Sequence, residues 1–179
     1  MFEGLSTPVL GVAAFSGTGK TTLLRQVLPR LTAAGLAVGV IKHTHHDFEV
    51  DRPGKDSHVL RQAGARQTLL AGPHRWALIA EEPEHRGDPD LEELVRRLDL
   101  DRLDLVLVEG FRHAPFPKLE LHRAALGRSW LYPEDPWIVA VASDTPPPEP
   151  CRLPCLDLNR PDQVAAFVLD WAGRRRARG

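Results

Sequence analysis

Apolar residues in this chain fall into two rhythms. Residues 9–15 form a short, nearly continuous apolar run closed by Ser16, Gly17, Thr18 and Gly19, the pattern of a strand covered on both faces. From Lys20 onward Leu23, Leu24, Val27, Leu28 and Leu31 recur at helical spacing until Gly35, a suitable C-terminal cap. Pro29 removes one backbone hydrogen bond from that helix, so a kink or an early stop is expected there. Residues 38–41 read as a second strand, followed by a long polar loop over 43–55 without periodicity. Residues 56–63 suit a short helix with Val59, Leu60 and Ala63 on one face.

Apolar runs at 68–71 and 76–80 flank Gly72, Pro73, His74 and Arg75, a hairpin signature. Behind Asp88, Pro89 and Asp90, the positions of Leu91, Leu94, Val95 and Leu98 predict an amphipathic helix. Residues 105–108 and 138–142 are two further strands of the buried kind. Between them Leu119 and Leu121 alternate with Glu120 and His122, as in an edge or antiparallel strand. Residues 146–150 are a proline-rich, stiff connector. A strand at 155–158 and a helix carrying Val164, Phe167, Val168 and Trp171 complete the chain. Strands alternating with helices indicate an α/β fold with a largely parallel sheet plus an antiparallel hairpin or edge portion, and ligands beyond the C-terminal strand ends.

The 179 residues suit one domain, over residues 5–174, with 175–179 as a disordered basic tail. With 23 basic against 24 acidic residues and a net charge of -1, no whole-protein field draws in nucleic acid or a membrane surface. No apolar run reaches the roughly 18 residues of a membrane span. The two cysteines, Cys151 and Cys155, make no disulfide framework, which points to the reducing cytoplasm. Only four of the basic residues are lysines, and Lys20, Lys42 and Lys55 fall in segments that look chemical on other grounds.

Residues 14–21 match the Walker A pattern, with Ala14 where the leading glycine stands. A nucleoside triphosphate brings about four negative charges, so backbone N–H groups at a helix N-terminus must share the neutralisation. Ser16, Gly17, Thr18 and Gly19 would line that cradle and Lys20 would supply a compact charge at the outer phosphates. Thr21 would ligate Mg²⁺ and Thr22 donate to a phosphate oxygen. Glu109, at the end of a buried run, is the carboxylate placed to orient Mg²⁺, giving Lys20 and Glu109 the catalytic roles. Asp144, beyond another such run, can accept from guanine N1–H and the N2 amine, or simply form a turn. Lys42, His43, Asp51, Lys55 and Asp56 suit a switch that senses the γ-phosphate or presents charge to a partner or cofactor. His43, His45 and His46 leave a metal-binding loop open.

These residues make the chain resemble the MobB family, GTP-binding accessory proteins of molybdopterin guanine dinucleotide biosynthesis. The resemblance runs from about Val9 to Trp171 and rests on residues 14–24 (AFSGTGKTTLL), 41–57 (IKHTHHDFEVDRPGKDS), 75–78 (RWAL), 103–111 (LDLVLVEGF) and 139–144 (VAVASD). It implies a P-loop NTPase three-layer sandwich and a homodimer whose strands pair across the interface. It also implies weak Mg²⁺-dependent GTP hydrolysis, and work on molybdopterin or its guanine dinucleotide beside the guanylyltransferase MobA. Under it Ala14 is normal, residues 17–22 bind phosphate, Glu109 supports Mg²⁺ and Asp144 reads the base. Two other expectations stand beside it. A small-molecule kinase would use Arg52, Arg61 or Arg66 from a lid, and a metallochaperone GTPase would use the histidines.

Overall fold

The computed structural model describes residues 1–2, 4–44, 48–82, 84, 87–148 and 150–177. In chain order the elements are β1 (Val9–Ala13), α1 (Lys20–Ala33), β2 (Val38–Lys42), α2 (Asp56–Gln62), β3 (Gln67–Ala71), β4 (Trp76–Ala80), α3 (Leu91–Arg96), β5 (Leu105–Glu109), β6 (Lys118–His122), β7 (Ile138–Ser143), β8 (Cys155–Asp157) and α4 (Pro161–Arg176). They divide into two compact units, Met1–His43 with Asp90–Gly179, and Thr44–Pro89.

The larger unit is built on a six-stranded sheet in the order β2-β5-β1-β6-β7-β8, parallel at every pairing. Alternation along the strands sorts side chains onto two covered faces. Leu10, Val12, Leu105, Leu107, Leu119 and Leu121 meet Leu23, Leu24, Val27 and Leu31 of α1 and Val164, Val168 and Trp171 of α4 on one face. On the other, Val9, Val106, Val108 and Phe116 pack with Leu91 and Val95 of α3. This is the P-loop NTPase three-layer sandwich, and it sets the C-terminal ends of β1, β5, β6 and β7 side by side.

α1 runs unbroken past Pro29 to Ala33, so the early stop does not occur. It ends at Gly35, φ 89°, whose N–H donates to Thr32 O while Leu36 N–H donates to Leu31 O, a paired C-terminal closure that satisfies two of the last carbonyls. α3 begins at Asp90, whose Oδ1 accepts from Glu92 N–H at 2.8 Å. α4 extends through Arg175 and Arg176, residues expected in a disordered tail. Arg176 reaches Asp104 at 2.7 Å and Arg175 lies over the Trp171 ring, while Arg178 and Gly179 are outside the described residues.

β6 corrects the edge-strand expectation. It is internal, parallel to β1 on one side and β7 on the other, and all five of its residues are buried. Its alternation is real, but the polar positions face protein rather than water. Lys118 donates to Ala114 O at 2.6 Å and pairs with Asp135 at 2.9 Å. Glu120 accepts the Leu131 and Tyr132 N–H groups, each at 2.8 Å, and His122 stacks on Trp130 at 3.8 Å. Segment 111–137 thus covers that face and supplies polar partners to its ionisable groups, which keeps buried charge from being costly.

The smaller unit holds α2 and the antiparallel hairpin β3–β4, which forms its own two-stranded sheet. Arg61 binds three carboxylates there: Glu49 at 2.6 Å, Asp51 at 2.7 Å and Glu81 at 2.5 Å. Cross-strand partners Leu69 and Leu78 are exposed, as is Trp76 on the same face.

Burial raises the Glu120 carboxyl above its ordinary value, against the opposing pull of its two backbone donors and His122. Such a group stabilises the fold fully below its unfolded pKa and loses that contribution as pH rises through the folded one. The stability of the wild type minus that of Glu120→Gln, from urea unfolding, therefore falls as pH rises above the ordinary glutamate range. A difference that rises with pH contradicts this account of Glu120.

Candidate nucleotide site

The β1–α1 loop owes its shape to two glycines. Gly17 and Gly19 have φ of 81° and 102°, left-handed backbone that a side chain would strain. Among the described residues the non-glycine residues with positive φ are Phe2 and Phe111, so Ala14 occupies the leading Walker position without strain. Thr18 is buried and its hydroxyl donates to Phe15 O at 2.9 Å, closing the turn from inside. Lys20 folds back over the loop, its Nζ 3.3 Å from both Ala14 O and Phe15 O. Burial first, then Arg112 and Lys42, hold its ammonium below the ordinary lysine range, while Glu109 pulls the other way. Ser16 and Thr22 lie exposed at the loop and on the first turn of α1.

Two cations embrace the same loop from outside. Arg112 and Arg128 lie over the Phe15 ring at 4.7 and 5.5 Å from its centroid. Neither is visible in the Walker pattern, because a residue after β5 and one after β6 come together only through the sheet.

Parallel pairing places Glu109 beside Val12 of β1 and Lys42 of β2. Thr21 Oγ1 donates to Glu109 Oε1 at 2.9 Å, so the predicted metal pair meets. Two hard oxygens at that separation, one of them a carboxylate, suit Mg²⁺, which binds through one or two protein oxygens and completes its shell with phosphate and water. Gly110 follows at φ 107°, and an added Cβ there would stand 2.6 Å from His43 Cβ. His43 donates its backbone N–H to Glu109 O at 2.8 Å and stacks on Phe111 at 4.5 Å. His43 is thus tied to the β5 end; His45 and His46, the other histidines of the metal-loop expectation, lie outside the described residues. Among the described residues no group of three or more His, Cys, Asp or Glu side chains could hold a metal.

On the other side of β1, Asp144 follows β7. Its Oδ1 accepts from Ala124 N–H at 2.9 Å and its Oδ2 from Arg123 Nη1 at 3.4 Å. Arg123 Nε also donates to Thr18 O at 3.3 Å. A cavity of about 350 Å³ opens here, lined by Gly17, Gly19, Thr22, Arg123, Leu158 and Asn159 among others. Of the remaining switch candidates, Lys42 is exposed at the end of β2. In the smaller unit Asp51 is engaged by Arg61, whose hydrogen bond chiefly holds its carboxyl below the usual range. Lys55 and Asp56 are exposed at the start of α2.

A family model described as MobB, molybdopterin guanine dinucleotide synthesis protein B, matches residues 9–144. The chain belongs to the MobB family. It is 48% identical over 168 residues to the molybdopterin-guanine dinucleotide biosynthesis adapter protein of Escherichia coli, covering 92% of this chain and 93% of that protein. It is 41% identical over 172 residues to the adapter protein of Haemophilus influenzae, covering 96% and 93%. A solved structure of molybdopterin-guanine biosynthesis protein B superposes with a TM-score of 0.71 at 26% identity, over 92% of this chain and 98% of that one.

The MobB match spans residues 9–144, which include the β1–α1 loop, Glu109, Arg123 and Asp144, while α4 packs on the sheet beyond it. Arg123, like Arg112 and Arg128, is not visible in the motifs. It directly follows the β6 segment misread as an edge strand, and an internal reading of that strand would have placed it at the C-terminal sheet edge with the other ligand-facing residues.

Gly110→Ala tests the tight packing behind Glu109. The substitution meets both a left-handed backbone and His43, and should lower stability by about 1–3 kcal/mol in urea unfolding. Gly35→Ala, with open space around it, bears only the backbone cost and should lose less. Equal losses would contradict the contact with His43.

Proposed function

We propose that this chain binds Mg²⁺–GTP at the β1–α1 loop and serves as an adapter in molybdopterin-guanine dinucleotide biosynthesis, the role named for its relatives. The observation that carries the reading is Thr21 Oγ1 at 2.9 Å from Glu109 Oε1, directly beside Lys20 and the glycine-shaped loop. Mg²⁺ held there supplies positive charge to the β- and γ-phosphate oxygens. The chain's own groups do the rest. Backbone N–H groups of residues 17–22 and the α1 N-terminus receive the phosphates. Lys20 exchanges the Ala14 and Phe15 carbonyls for phosphate oxygens, and Thr22 donates from the first turn. Arg112 and Lys42 add cationic charge near Lys20.

Guanine selectivity falls to Asp144, and hydrolysis is weak, since occupancy rather than turnover does the adapter's work. Lys42, His43, Asp51, Lys55 and Asp56 form the switch or partner-facing set. The partners are the guanylyltransferase MobA, and molybdopterin or its guanine dinucleotide. A homodimer is supported by exposed Leu69, Trp76 and Leu78 on one face of the hairpin, a shape and chemistry that suit strand-mediated pairing. Among the described residues no helix is long and apolar enough to cross a membrane. The cytoplasm is the compartment that suits two free thiols.

Calorimetry tests the reading. GTP should bind in a Mg²⁺-dependent manner and more tightly than ATP. Lys20→Ala should weaken GTP by about 100-fold, about 2.7 kcal/mol, while the melting temperature stays close to that of the wild type. Unchanged GTP affinity in that variant would refute the loop. Phosphate should also raise the depressed Lys20 pKa, so binding takes up protons and weakens as pH climbs through the alkaline range where Lys20 of the free protein titrates. Proton release on binding at alkaline pH would contradict it.

A further inference from the structure

We propose that Arg123 is a specificity-determining residue, positioning Asp144 for guanine from a place between that carboxylate and the phosphate loop. The inference rests on the GTP reading and extends it to a side chain that reading does not use.

The direction of the nucleotide follows from the sheet. β1 has β5 on one side and β6 on the other. The Thr21–Glu109 pair, which would hold Mg²⁺ and with it the outer phosphates, lies on the β5 side. The α-phosphate and nucleoside therefore extend toward the ends of β6, β7 and β8. The cavity beside Gly17, Gly19 and Thr22 lies there, and its 350 Å³ falls within the range of small-ligand pockets, about 300–1,000 Å³.

Arg123 borders that cavity and is held at two points. Nε donates to Thr18 O at 3.3 Å and Nη1 donates to Asp144 Oδ2 at 3.4 Å. The guanidinium thus joins the loop that receives phosphates to the carboxylate that receives the base. Its backbone is fixed by β6, which pairs directly with β1 and with β7, the strand that carries Asp144. A lysine offers a compact charge in place of a planar fork and cannot span both contacts in the same way.

The contacts at Asp144 leave it competent. Each carboxylate oxygen has about two acceptor positions. Ala124 takes one on Oδ1 and Arg123 one on Oδ2, leaving one on each oxygen. Guanine needs that pair for N1–H and the N2 amine, whereas adenine turns the lone pair of its own N1 toward the carboxylate.

The experiment compares affinities of wild type, Arg123→Ala, Arg123→Lys, Asp144→Ala and the Arg123→Ala/Asp144→Ala double variant for GTP, ITP, ATP and inorganic tripolyphosphate, all with Mg²⁺. Arg123→Ala should lower the GTP-to-ATP and GTP-to-ITP affinity ratios about tenfold or more, while ATP and tripolyphosphate change less than about threefold. Arg123→Lys should fall between wild type and alanine. In the Asp144→Ala background, loss of Arg123 should reduce the ratios no further, because the two act as one unit. Ratios that survive Arg123→Ala overturn the inference, as does a parallel loss of all four ligands, which would make Arg123 a phosphate ligand. An additive loss in the double variant overturns the route through Asp144. Wild-type protein that binds GTP and ATP equally would instead overturn the guanine reading itself, so the two failures are distinct.

Discussion

Everything at the C-terminal edge of the larger sheet depends on one pairing of neighbours, β1 with β5. That register sets Glu109 beside Val12, and from there its carboxylate meets the Thr21 hydroxyl one residue into α1. A loop and a helix N-terminus alone make a general anion cradle. The added carboxylate changes what the cradle accepts, because an acid next to a polyanion is tolerable only with a cation between them. On the proposed reading, the Thr21–Glu109 contact favours a ligand that arrives with a divalent metal. Arg112 and Lys42 add positive charge near Lys20 on the same side.

The sheet then divides the work of recognition about β1. Glu109 and the His43–Phe111 stack belong to β5 and β2. Arg123 and Asp144 follow β6 and β7, and Arg123 borders the cavity. Short strands of three to six residues suffice because both faces are covered, by α1 and α4 on one side and by α3 with the 111–137 segment on the other. Specific polar partners for Lys118, Glu120 and His122 make that second cover compatible with ionisable groups.

Much of this was legible in the chain itself, for identifiable reasons. The Walker loop has sequence-local chemistry: its glycines, lysine and threonine are contiguous and lie between an apolar run and a helical repeat. Glu109 was legible because an acid at the end of a buried run has little structural use. β6 was not, since alternation reports that one face is polar but not whether water or protein meets it. Lys118, Glu120 and His122 look like solvent-facing residues until the 111–137 segment is seen folding over them. Arg123 was hidden by the same ambiguity, and Arg112 and Arg128 because their shared contact with Phe15 joins segments distant in sequence. Pro29 overstated its effect: α1 has enough apolar contacts on the sheet to continue past one missing hydrogen bond.

A structure with a non-hydrolysable GTP analogue and Mg²⁺ tests the central claim most directly. The account places the phosphates against the backbone of residues 17–22, with Thr21 Oγ1 on the metal, Glu109 on the metal or one of its waters, and the base on the β6–β8 side of β1. Phosphates seated elsewhere, or a metal remote from Thr21 and Glu109, would contradict it.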